Sequence, residues 1–136
     1  MDISKKFATD AELELNGVWQ EIGRDTDGKV CRVKIARTGN ERYAKLMDRL
    51  MRPHRRAVRT GQMDDGLWDS IIIRVIAETV LLDWENIDDN GVAVPYSKEN
   101  AIALMTKYKD FRILIAEIAN EMETFRNVEV GEAEKN

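Results

Sequence analysis

Residues 86–97, NIDDNGVAVPYS, gather oxygen-bearing side chains just ahead of a glycine, the arrangement from which calcium loops are built. An EF-hand loop wraps its ion with twelve residues, placing oxygen ligands at positions 1, 3 and 5, a glycine at 6 and a bidentate Glu at 12. With Gly91 as the sixth residue, Asn86, Asp88 and Asn90 occupy the first three ligand positions. The closing half departs from the pattern. Ser97 stands where the Glu is required, Glu99 comes two residues too late, and Pro95 stiffens the part that must fold around the ion. The stretch is therefore expected to be a helix-to-helix connector. Its Asp88-Asp89-Asn90-Gly91 should form a tight turn, with Asn and Gly supplying left-handed conformations. Val92 and Val94 should run back against the core, and Ser97 with Glu99 should start the next helix.

The densest charge is RLMRPHRRAVR, with Arg49, Arg52, Arg55, Arg56 and Arg59. A nucleic-acid footprint is expected on a basic domain with interleaved stacking residues. This chain has net charge −4 and a pI near 5.1, and the run contains no aromatic. Residues 1–68 carry 14 Lys and Arg against 11 Asp and Glu, and residues 69–136 carry 7 against 14. The arginines thus belong to a mildly basic front half, suited to a solvated face or to an acidic surface such as the rear half of another copy.

Catalytic constellations are missing. His54 is the one histidine, it sits among arginines, and no G-x-S-x-G or phosphate-binding glycine loop accompanies it. Cys31 is alone, so neither an intrachain disulfide nor a Cys/His zinc cluster can form. The Asp88-Asp89 and Glu121/Glu123 pairs are of the kind that water solvates. No enzymatic activity, metal or cofactor is expected. Met47, Met51, Met105 and Met122 fall on apolar helix faces, where thioethers either fill a core or form an adaptable binding surface. Together with Arg52, Arg55 and Arg56 they are the candidate partner-binding residues.

The elements that would position these residues follow from periodicity. Residues 30–37, VCRVKIAR, alternate as a strand, and with the mixed stretch before the RDTDG turn they predict a hairpin over about 13–37. Asn40 should cap a helix bearing Tyr43, Leu46, Met47, Leu50 and Met51, and Pro53 should interrupt it. LWDSIIIRVIAETVLLDW is apolar nearly all round, which predicts a central buried helix over about 66–83, capped by Asp64 or Asp65 and anchored at its ends by Trp68 and Trp84. Two more helices should follow Ser97 and Asp110, the last with Phe111, Leu114, Ile115, Ile118, Met122 and Phe125 on one face.

The expected fold is thus mainly α with an N-terminal β-hairpin (α+β), about four helices packing around the helix at 66–83. One domain should cover 1–127, its helical part 41–126, with a disordered acidic tail at 128–136. No apolar run reaches the roughly 18 residues a membrane span needs. The opening MDISKKFATDAELE turns acidic where a secretory signal would be apolar, so a cytoplasmic location is expected.

The order GVW (17–19), RVKIARTGNERY (32–43), RPHRR (52–56), AETVLLDWENIDDNGVAVPYSKENAIALM (77–105) and FRILIAEIANEMETF (111–125) resembles the tail assembly chaperones of long-tailed double-stranded DNA phages. The resemblance spans about 7–126. It is most specific where LLDW, a D-x-x-G turn and PYS-x-EN-A follow one another. It implies a non-enzymatic protein of the host bacterial cytoplasm that binds the tape measure protein during tail morphogenesis, keeps it soluble until the tube polymerises, and is absent from the mature virion. The tail tube protein is a second implied partner, a homo-oligomer is expected, and neither nucleic acid nor membrane is. The competing reading is a small nucleic-acid-binding or regulatory module using the arginine run 49–59.

Overall fold

The computed structural model of the chain describes residues 1–126, so the tail expected at 128–136 lies outside the described residues. Two short helices, α1 (Ile3–Phe7) and α2 (Ala11–Asn16), lead into the antiparallel strands β1 (Val18–Arg24) and β2 (Val30–Ile35). Asp10 starts α2 by accepting from the backbone N–H groups of Glu12 and Leu13, so the hairpin opens at Val18 and not near residue 13. The RDTDG turn closes as its composition predicts. The Asp25 carboxylate accepts from the N–H groups of Asp27 and Lys29 at 2.9 and 2.8 Å.

Beyond the hairpin come α3 (Glu41–Met51), a 3₁₀ turn at Arg52–His54, α4 (Arg55–Arg59) and α5 (Asp65–Thr79). Then follow β3 (Leu81–Glu85), β4 (Asp88–Asp89), β5 (Val92–Ala93), α6 (Lys98–Lys107), α7 (Lys109–Asn120) and a 3₁₀ turn at Met122–Phe125.

The mainly helical expectation is overturned. The described residues form an α+β fold with a three-stranded sheet, in the order β1-β2-β3, and a separate two-stranded ribbon, β4-β5. The segment expected to complete a helix over 66–83 divides: α5 stops at Thr79, and Leu81–Glu85 pairs antiparallel with β2. A short, mostly apolar run satisfies a buried helix and a buried strand equally, so periodicity alone does not separate them. Tertiary pairing does. β2 presents one edge to β1 and its other edge to β3, whose backbone groups find partners there.

The hydrophobic alternation of β2 survives in three dimensions. Val33 and Ile35 are fully buried, opposite Trp84 and Leu81 of β3, while Arg32 and Lys34 point to the other face. On that outer face the Arg32 guanidinium lies over the Trp19 ring, 4.8 Å from its centroid, and bonds the Glu85 carboxylate at 2.7 Å, joining all three strands.

Helix α5 is sandwiched. Ile71 and Val75 pack with Leu46 of α3, whereas Ile73, Ile76 and Ala77 join the main core with the sheet, α6 and α7. Asn40 ties these layers together. Its side-chain oxygen accepts from the Tyr43 N–H to cap α3, and its amide donates to the carbonyls of Arg37 and of Thr79, the last residue of α5, at 2.8 and 3.0 Å. Asp64 caps α5 and Ser97 caps α6, as expected. The start of α7 differs: Asp110 lies in its first turn, and the flanking Tyr108 supplies no side-chain cap.

Trp84 sits in the main core on β3, and not at the end of a helix. Its indole N–H donates to the Val94 carbonyl at 2.7 Å, and its ring meets Tyr96 edge-on at 5.1 Å. The Tyr96 hydroxyl donates in turn to the Leu81 carbonyl at 2.7 Å, stitching the returning connector to β3. Truncating Trp84→Ala should destabilise the chain by about 3 to 5 kcal/mol. Tyr96→Phe, which removes one hydroxyl, should cost about 1 kcal/mol. Urea denaturation of both variants checks the order, and a Tyr96→Phe loss equal to that of Trp84→Ala would contradict it.

Candidate partner-binding surface

The arginine run is a bent helical arm. α3 passes through the Pro53-containing turn into α4, and Asp48 braces the bend, accepting from Arg52 at 2.7 and 3.1 Å and from Arg55 at 3.0 Å. The hydrogen bonds and charge of Arg52, then those of Arg55, hold the Asp48 carboxyl below the usual carboxylate range. Two of the five arginines are thereby spent within the chain. Arg49, Arg56 and Arg59 form no ion pair among the described residues. Met51, Arg55, Val58 and Arg59 line a shallow groove, and Val58 is 48% exposed.

The seven candidate residues separate into two groups. Met47, Met51, Arg52, Arg55 and Arg56 share the arm, the two methionines half-buried against Leu46, Ile71 and Val75. Met105 is 1% exposed within the main core, and Met122 is half-buried in the 3₁₀ turn that packs on α2.

Sequence reasoning passed over Val58 and Arg59 as groove residues, and it expected Trp68 to be an internal anchor. Trp68 is 42% exposed. At about 100° per residue it lies with Leu67 on the α3-facing side of α5, one turn before Ile71, where no longer element covers it. A large apolar residue, next to Ala57 and flanked by arginines on a five-residue helix, was the available signal for Val58.

The connector at 86–97 is built as a latch. β4 and β5 form a hairpin in which Asn90 and Gly91 both take positive φ, 51° and 79°, the left-handed pair of a primed turn. Two of its oxygen-bearing side chains, Asn86 and Asp89, are taken up by protein partners, while Asp88 and Asn90 are exposed. The Asn86 amide donates to the Val30 carbonyl, and Asp89 accepts from Lys107 at 2.9 Å and from the Tyr108 hydroxyl at 2.5 Å. Among the described residues no group of three or more His, Cys, Asp or Glu is placed to hold a metal ion. The hydrogen bonds from Lys107 and Tyr108 lower the Asp89 pKa, and the same carboxylate raises that of Lys107.

The family described as YdaY prophage protein matches residues 38–136, which takes in the arm, α5, β3, the latch and both C-terminal helices. No curated protein and no solved structure matches the chain.

A depressed carboxylate contributes stability above its unfolded pKa and loses it as pH falls through the folded one. The Asp89 latch should therefore help at neutral pH and fade on acidification below about pH 4. Asp89→Asn should lower the melting temperature at pH 7, with the difference from the unmodified chain shrinking toward pH 3. A gap independent of pH would remove the ionic part of the latch.

Proposed function

The chain belongs to the YdaY prophage protein family, and from that premise we propose that it is a non-enzymatic tail assembly chaperone. It binds the tape measure protein in the host cytoplasm, with the tail tube protein as a second client, and keeps its client soluble until the tube polymerises. The chain is then left behind and does not enter the virion. The phage-derived family sets the context, and the resemblance of residues 77–105 to tail assembly chaperones narrows it.

The observation that carries the reading is the apolar patch at the start of α5. Leu67 and Trp68 stand uncovered there, 37% and 42% exposed. A tape measure protein is a long helical chain whose apolar faces aggregate when bare, and an amphipathic helix lays its apolar face on such a patch. Many copies along one client hold it through avidity, so each contact stays weak enough for the growing tube to displace it. No helix of the described residues is long and apolar enough to cross a membrane.

Co-expression with a tape measure protein from the same genome should raise that partner's soluble fraction several-fold, and the two should co-purify. Retention of neither the tape measure nor the tail tube protein would sink the proposal. Salt-sensitive retention on DNA without client binding would favour the nucleic-acid reading instead.

A further inference from the structure

The arm has a counterpart elsewhere on the same molecule. α7 buries Ile115 and Ala119 but leaves Ile113 and Leu114 about two-fifths exposed, although Leu114 was expected on the buried face. At helical spacing, Asp110, Glu117 and Glu121 fall on the same side as these two residues, and all three are exposed. None of them forms an ion pair among the described residues. The outer face of α7 is thus apolar and acidic, where the α4 groove is apolar and basic.

The two faces lie on opposite flanks of the protomer. Ile71 and Val75 of α5 meet α3, while Ile73 and its neighbours, about half a turn away around the helix, meet α6 and α7. Complementary surfaces so placed cannot satisfy each other within one chain. They fit the next copy.

We infer that copies of this chain associate head to tail, the arginine-lined α4 groove of one protomer seated on the acidic, apolar outer face of α7 of the next. The contact covers Val58 and Met51 with Ile113 and Leu114, and sets the groove's Arg59 against Glu117 and Glu121. Two different patches meet, so the contact is heterologous and adds protomers until a ring closes or a filament extends. Nucleic acid fits the groove poorly, because its floor is apolar and Arg52 and Arg55 are engaged by Asp48. The inference does not rest on the tape measure reading, since the contact belongs to the chain alone.

Sedimentation velocity of the purified chain tests it. The unmodified protein should show a mass above the 15.6 kDa of one chain, rising with concentration and falling as salt is added. Arg59→Glu and, separately, Glu117→Lys/Glu121→Lys should each weaken association by about tenfold or more, because like charges then face each other. All three sites are exposed, so far-UV circular dichroism and melting temperature should stay unchanged. Combining the three substitutions in one chain should restore association by exchanging the signs. A protein monomeric at every concentration would overturn the inference, as would either charge reversal leaving the mass unaltered or the combined variant remaining dissociated. Loss of tape measure retention in the arginine variant with no change in mass would also overturn it, assigning the groove to the client.

Discussion

The pairing of β3 with β2 is the constraint on which the rest of the structure depends. β2 is flanked on both edges, so Val33 and Ile35 become the centre of the core, with Trp84 and Leu81 brought beside them. Pairing also ends α5 at Thr79, whose carbonyl then accepts from the buried Asn40 amide that also supports the start of α3. From there α3 takes its place on α5, and the arm takes its direction. The strand is held from its far side by the returning connector, through the Trp84 indole and the Tyr96 hydroxyl.

A consequence is an uneven molecule. The sheet, α6 and α7 enclose the main core, while α3, with Met47, Met51 and Met63, builds a smaller cluster on the opposite side of α5. α4 extends beyond that cluster with little to pack on, which leaves Val58 exposed and its arginines in water. Exposed ion pairs contribute little to stability, so the bracing of Arg52 and Arg55 by Asp48 sets the shape of the bend more than it strengthens the fold. The exposed groove is thus a by-product of the way the core divides around α5.

Much of the local structure was legible along the chain because its cause is local. Asn40, Asp64 and Ser97 cap helices since each side chain needs only the N–H groups a few residues ahead. Asn90-Gly91 turns because those two residues tolerate positive φ. The alternation of VCRVKI identified a strand with one buried face. AETVLLDW was not legible, because eight residues of mostly apolar character carry no period that distinguishes helix from strand. Trp68 misled for a related reason: size and hydrophobicity favour burial on average, and whether an aromatic at a helix start is covered depends on how far the neighbouring helix reaches.

The sequence by itself determined the short-range features: the caps, the turns, the β1-β2 hairpin, the departure of residues 86–97 from a calcium loop, and the order of motifs that resembles a phage family. Each depends on contacts within a few residues or on side-chain chemistry that no fold alters. Only the tertiary structure decided that Leu81–Glu85 is a strand, that Met105 is sealed in the core while Val58 and Arg59 line a groove, and that the basic and acidic faces sit on opposite sides of α5. Those outcomes depend on which distant segment lies alongside, as with Arg32 beside Glu85 across 53 residues of chain, and separations of that length leave no periodic trace.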